Sequence, residues 1–225
     1  MSFYECLKAY PEGSASASRL ALTAKRLGYQ GIIICNQEPP KLFRPEAIQF
    51  IKGIEVAIGA EVMAQNAKAL KSRVSNLRAR YPFLVVRGTT EEIIRVACED
   101  PNVDVLLHPC DGRRPLGIAA ARAARLNQVA IGFDLGPFLH LCGSPRARWL
   151  EALRRNLLFA RKFDLCPVIT AGVRSHLDLR SPRDLIALAE VAGFEPEEAK
   201  EALRRPGKLL ELNRRRWQSP GVELL

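Results

Sequence analysis

Histidine is the scarcest chemistry-bearing residue in this 225-residue chain, with three in all, and they are far apart at His108, His140 and His176. A two- or three-metal hydrolytic centre needs many imidazole and carboxylate ligands, so that class is poorly supplied. The first strand-like run offers Tyr4-Glu5-Cys6 where a His-x-His pair would be wanted. The six cysteines have no C-x-x-C spacing and do not cluster with the histidines, which argues against a zinc knuckle or a disulfide framework. They read as small reduced hydrophobes. No G-x-x-x-x-G-K or G-x-G-x-x-G occurs, so the glycine cradles for nucleotide phosphates are missing. Ser175, His176 and Asp178 share one loop, where neighbours seldom converge into a triad.

Long apolar runs are missing too. The longest stretches without a charge, Leu27 to Gln37 and Leu135 to Pro145, have 11 residues each, against about 20 for a membrane-spanning helix. Nothing reads as a signal peptide, and the expectation is a cytoplasmic protein with no membrane partner.

What is abundant is arginine. Lys plus Arg number 34 against 24 acids, a net charge of +10, and arginine is the larger share. Its planar fork pairs bidentately with phosphate, so the imbalance points to an acidic partner such as nucleic acid, although a GC-rich genome also raises Arg.

Short runs rich in Val and Ile alternate with amphipathic, capped segments along most of the chain. Strands are expected at Phe3 to Leu7, Gly31 to Cys35, Ile54 to Val62, Phe83 to Arg87, Val103 to Leu107, Val129 to Asp134 and Pro167 to Ala171. Helices are expected near Ser18 to Leu27, Pro45 to Lys52, Asn66 to Tyr81, Thr90 to Asp100, Pro115 to Leu126, Pro145 to Phe163 and Pro182 to Ala192. Thr89 with Glu92 reads as a capping box, Ser144-Pro145 and Ser181-Pro182 as helix starts, and Gly28 and Gly193 as stops. The fold class is α/β: a (β/α) TIM-like barrel of seven or eight parallel strands with extra C-terminal helices. Residues 1–225 form one domain, in which 194–225 is a charged helical appendage built from Glu195 to Arg204 and Pro206 to Arg216.

In such a barrel the loops after the strands gather at one face. His108 to Arg114 follows the fifth strand and Ala171 to Arg180 the seventh, both basic. Candidate phosphate contacts are Arg87, Arg113, Arg114, Arg174 and Arg180, with Arg180 also bracing its loop against the Ser181 cap. Steps of 100° on the helix from Arg146 put Arg148, Arg155 and Lys162 on a cationic flank opposite Leu150, Leu153 and Leu157. The run Arg214-Arg215-Arg216-Trp217 could grip phosphate or be a soluble end.

Four phrases in order carry a resemblance: Val103-Asp104-Val105-Leu106-Leu107-His108-Pro109, Ala124 to Ile131, Phe159 to Phe163, and Leu179-Arg180-Ser181-Pro182-Arg183-Asp184-Leu185. Together they resemble the barrel-shaped protein subunits of archaeal and eukaryotic ribonuclease P, best from Val103 to about Leu212. The turn Thr170-Ala171-Gly172-Val173 departs from that family's usual Ser-Gly-Ala type. The resemblance implies a noncatalytic subunit of a ribonucleoprotein whose RNA removes the 5′ leader of precursor tRNA. It implies as partners ribonuclease P RNA, precursor tRNA through the complex, the small component-two subunit and other ribonuclease P proteins. It also implies no cofactor on this chain, with Mg²⁺ on the RNA. A metal-dependent phosphoesterase of a related barrel group and an RNA-binding module of another assembly stay open as alternatives.

Overall fold

The computed structural model describes residues 2–38, 51–107, 116–219 and 222–223. Nine short strands run β1 (Tyr4–Leu7), β2 (Gly31–Ile34), β3 (Gln37–Glu38), β4 (Glu55–Ile58), β5 (Ala60–Val62), β6 (Leu84–Arg87), β7 (Val105–Leu107), β8 (Ala130–Asp134) and β9 (Pro167–Thr170). Every ladder among them is parallel, in the orders β1-β2-β4 and β3-β5-β6-β7-β8-β9. Since β3 continues β2 and β5 continues β4, the nine segments make seven strand lines, each but the last leading into the next. The interruption in the expected strand Ile54 to Val62 falls at Gly59. A Cβ there would lie 2.5 Å from the Phe83 carbonyl oxygen, and past it the chain turns from β2 toward β6.

The helices are α1 (Ala17–Arg26), α2 (Ala67–Arg78), α3 (Glu91–Glu99), α4 (Ile118–Leu126), α5 (Gly136–His140), α6 (Gly143–Lys162), α7 (Pro182–Val191) and α8 (Pro196–Arg216). Ser16, Asn66, Thr90 and Ser181 each cap a helix by accepting a backbone N–H, and Ser181 with Asp184 completes a capping box. Two expectations shift by a residue or two. Thr90, not Thr89, caps α3, and α6 starts at Gly143 without a side-chain cap, leaving Ser144 inside it. Gly28 and Gly193 end α1 and α7 at φ 94° and 102°. The helix expected at Pro45 to Lys52 lies almost wholly outside the described residues. A short antiparallel pair, β10 (Trp217–Ser219) and β11 (Val222–Glu223), ends the described chain.

Side-chain parity along the strands divides the apolar interior in two. Ile32, Ile34, Val62, Leu84, Val86, Leu106, Ile131, Phe133 and Ile169 face the helices. Ile33, Ala57, Phe83, Val85, Val105, Leu107, Ala130 and Val168 face inward and pack together. Leu210 of α8 belongs to that inner group.

Residues 196–216, expected as two helices broken at Pro206, form one helix. Ala199, Ala202, Leu203, Pro206, Leu210 and Asn213 are buried along a single side, and packing of that stripe outweighs the hydrogen bond that Pro206 cannot make. A Cβ on Gly207 would meet the Tyr4 ring at 2.4 Å, so glycine is what lets α8 approach β1. The helix then crosses the N-terminal strand ends, where the Asn213 amide donates to Asp104 (2.7 Å) and to the Pro82 carbonyl (2.8 Å). Asp104 also accepts from Arg78 at 2.7 Å and from the Leu84 N–H at 2.7 Å.

Arg78 and Asp104 are both buried, so removing one strands the other's charge. Arg78→Met is expected to destabilise the fold by about 3–5 kcal/mol in urea unfolding, and Asn213→Ala by about 1–3 kcal/mol.

Candidate functional site

Parity sets what the C-terminal strand ends present to the interior: Cys6, Cys35, Glu61, Arg87, Leu107, Asp134 and Thr170. With Lys8, Gly172 and Arg174 they line a cavity of about 110 Å³. The Glu61 carboxylate is buried and takes the Lys8 ammonium at 2.9 Å and the Arg87 guanidinium in a two-pronged contact at 2.7 and 3.0 Å. Lys8 also donates to the Cys35 carbonyl and lies 3.5 Å from Glu12. Arg174 reaches Glu12 at 3.6 Å. Burial works to raise the Glu61 carboxyl, but Lys8 and Arg87 overcome it and hold the group below the usual carboxylate range. Burial likewise works against the Arg87 charge, and Glu61 more than restores it.

Glu61 therefore has two cations on it already, and a metal ion would have to displace both. Among the described residues no three His, Cys, Asp or Glu side chains are grouped as metal ligands. Asp134 is taken up locally, its Oδ1 accepting from the Gly136 N–H at 2.7 Å.

Between β9 and β1 the main-chain pairing is one bridge, Leu7 to Val173, with Lys8 N–H donating to the Val173 carbonyl at 2.8 Å. Below that bridge a side chain joins the two strands. Glu5 is fully buried, and its Oε1 accepts from the Thr170 hydroxyl at 2.7 Å and from the Ala171 N–H at 2.9 Å. Its Oε2 is buried with no hydrogen-bond partner, while the Tyr29 hydroxyl donates to the Arg180 carbonyl at 2.9 Å. Desolvation pushes the Glu5 carboxyl up from 4.5 to about 7, reinforced by Asp134 and offset in part by Thr170, Ala171 and Tyr29.

The residues expected to meet RNA fall in separate places. Arg87 is committed to Glu61 inside the mouth. Arg174 stands on the rim, its side chain 57% exposed. Arg180 is half-buried and donates to the Leu177 and Leu179 carbonyls at 2.9 Å each, so it holds its own loop, while Asp184 and not Arg180 partners the Ser181 cap. Arg148, Arg155 and Lys162 are exposed on α6, with Arg155 3.6 Å from Glu151 and Lys162 over the Phe163 ring at 5.8 Å. Arg113, Arg114 and His108 lie outside the described residues. Lys8, Glu12, Glu61 and Asp134 were not anticipated. Charged residues closing apolar strands, as in Ala60-Glu61-Val62 and Phe133-Asp134, were the signal that could have found them.

Parallel strands in sequential order, wrapped by helices and gathering polar side chains at their C-terminal ends, define a TIM-like α/β protein. The chain belongs to the RNase P subunit p30 family, whose model matches residues 2–218. Ribonuclease P protein component 3 of Methanosarcina acetivorans is 39% identical over 215 residues, covering 94% of this chain and 90% of that one. Its counterpart in Halorubrum lacusprofundi is 37% identical over 228 residues, covering 98% and 95%. The fold matches a chain in a cryo-EM structure of archaeal ribonuclease P with mature tRNA at a TM-score of 0.79 and 24% identity, covering 99% of this chain and 97% of that one. A histidinol phosphate phosphatase of Lactococcus lactis, solved with zinc, L-histidinol and phosphate, shares the fold at a TM-score of 0.56 and 14% identity, covering 86% and 95%.

The buried carboxyl of Glu5 makes a pH-dependent prediction. Its folded pKa of about 7 lies above the ordinary 4.5, so its contribution is fully present below about pH 4.5 and is lost as pH rises through 7. Glu5→Gln keeps the acceptor oxygen and cannot ionise. The variant is expected to match the parent near pH 4 and to exceed it by roughly 3 kcal/mol at pH 8 in denaturant titrations. Equal stability at both pH values would mean that Glu5 ionises normally in the fold.

Proposed function

We propose that this chain is a noncatalytic protein subunit of ribonuclease P that binds and braces the RNA responsible for removing the 5′ leader of precursor tRNA. The observation that carries the reading is the contrast between a mouth whose charges are paired among themselves and an outer helix, α6, that presents Arg148, Arg155 and Lys162 to solvent. Family membership supplies the assembly. The relatives bear the name of a ribonuclease P component, and the matching archaeal structure holds mature tRNA. Phosphate repulsion opposes the folding of a large RNA and the gathering of its Mg²⁺, and cations fixed on a rigid α/β scaffold relieve it.

The proposed contact set is Arg148, Arg155 and Lys162 on α6, Arg174 on the rim, and Arg113 and Arg114, which fall between β7 and α4 in sequence. Arg87 and Arg180 act through the fold, since Arg87 is forked onto Glu61 through Nε and Nη2 and Arg180 holds two loop carbonyls through Nη1. Protein partners are the small component-two subunit and the other ribonuclease P proteins, precursor tRNA being met through the complex. No described helix is long and apolar enough to cross a membrane, and the proposed setting is the cytoplasm. The doubly paired Glu61 counts against the phosphoesterase alternative.

Replacing Arg148, Arg155 and Lys162 together by Ala is expected to weaken binding to ribonuclease P RNA and to raise the Mg²⁺ needed for tRNA processing. The slope of log affinity against log salt should fall by roughly 0.7–0.9 per lost contact. Exposed cations contribute little to folding, so thermal stability should hold. Arg113→Ala with Arg114→Ala should act the same way. Arg87→Ala, in contrast, should lower stability by unbalancing Glu61. An unchanged salt slope and Mg²⁺ requirement in both surface variants would remove the RNA reading from these residues.

A further inference from the structure

Tyr10 is 70% exposed and is the one aromatic among the described large hydrophobic side chains left open to solvent. It sits on a turn that is held hard from beneath. The Asn36 side chain brackets Ala9, accepting from its N–H at 2.9 Å and donating to its carbonyl at 2.8 Å. Tyr10 N–H donates to the Ala15 carbonyl at 2.9 Å, and the Glu12 and Gly13 N–H groups both donate to the Ala9 carbonyl, at 3.0 and 2.9 Å. Ser14 N–H donates to the Arg174 carbonyl at 2.8 Å, and a Cβ on Gly13 would lie 2.7 Å from that same oxygen. The turn after β1 and the loop after β9 are thus one rim, which carries an exposed ring and an exposed guanidinium. Farther along, His140 faces Asp178 at 3.7 Å, and Asp178 accepts from the Arg174 and Ser175 N–H groups at 3.3 and 2.9 Å.

We infer that this rim binds an unpaired RNA nucleotide, the base stacked on Tyr10 and its phosphate on Arg174. The inference rests on the RNA-binding reading above and adds to it a specific site and a preference for single-stranded segments. A duplex keeps its bases stacked on one another, so a protein ring can take only a base from a loop, bulge or end. Stacking is tolerant of base identity, and a ring fixed on a rigid turn meets it with little ordering left to do. The +10 charge of the chain and the exposed Arg174 guanidinium favour RNA over a protein partner as occupant. Arg174 is held by Glu12 only at 3.6 Å, with most of its side chain in solvent.

The test uses the full chain with two probes, an RNA hairpin carrying 2-aminopurine in its loop and a blunt duplex of equal length. Stacking on the parent protein should quench the 2-aminopurine fluorescence. Tyr10→Ala should abolish that quench and weaken hairpin binding about tenfold without changing the salt slope, whereas Tyr10→Phe should behave as the parent. Duplex affinity should be unaffected by either. Arg174→Ala should weaken hairpin binding and reduce the salt slope by about one contact. Parent-like hairpin binding by Tyr10→Ala, together with weakened binding by the α6 triple variant, would overturn the stacking site and leave the RNA reading intact. Loss of association with the other ribonuclease P proteins in Tyr10→Ala, at unchanged RNA affinity, would overturn it in favour of a protein contact. Failure of the parent to bind either probe would overturn both readings.

Discussion

The charges buried at the strand-end mouth have to neutralise one another, and much of this molecule's chemistry follows from that requirement. Lys8 on β1's end, Glu61 on β5 and Arg87 on β6 are brought together by inward parity alone. A lone charge there would face a desolvation penalty of several kcal/mol, so Lys8 and Arg87 are kept as a set with Glu61 and the equally buried Glu12, two cations against two carboxylates. The set fills the place where a TIM-like fold ordinarily puts its reactive groups. A carboxylate held down by two cations is a poor base and a poor metal ligand. The mouth thus serves cohesion, tying three strand lines together from inside, and the excess positive charge is left to the exterior.

The same economy appears at the opposite ends of the strands and at the seam. Across the N-terminal strand ends α8 supplies Leu210 to the inner core and Asn213 to the Arg78–Asp104 pair, so that the floor is covered by a helix that gives it one apolar and one hydrogen-bonded polar side chain. At the β1–β9 seam the Glu5 carboxyl accepts the Ala171 N–H that a neighbouring strand's carbonyl would take in a continuous ladder. Burial there works against the carboxylate's charge, and its hydrogen bonds offset this only in part, so the group resists ionisation. Mouth, floor and seam each use a buried ionisable side chain, and they differ in how fully it is matched.

Most of the α/β frame was legible in the sequence because its signals are local. Val/Ile runs, the Ser181-Pro182 start, and Gly28 and Gly193 as stops depend on a few adjacent residues, and the structure has them in place. Signals that depend on distant partners were not legible. The break at Gly59 exists because Phe83 comes close, and Pro206 is tolerated because β1 and β9 pack against α8. Thr89 and Thr90 are indistinguishable as caps until the strand before them is placed. The mouth escaped for the same reason: Glu61 reads as an ordinary strand residue until Lys8, 53 positions earlier, lies beside it. The arginines were visible as a class, but sorting structural Arg87 and Arg180 from exposed Arg148 and Arg155 required knowing which carbonyls and carboxylates they reach.

That sorting bears on how an RNA-bracing surface can work. Arginine count overstates the charge available to phosphate, since a guanidinium already forked onto a buried carboxylate or a loop carbonyl releases no counterion when RNA arrives. The residues that remain are spread from the rim to the far end of α6, a helix of 20 residues that begins beside the mouth and returns to the start of β9, a rise of about 30 Å. A span of that length with cations at intervals suits an extended backbone better than a compact anion. Because α6 is fastened along its other side by Leu153 and Leu157, the spacing of those cations is set before RNA binds. On the proposed reading little conformational freedom would then be lost on contact, and the helix would act as a ruler for phosphate positions rather than as a flexible basic tail.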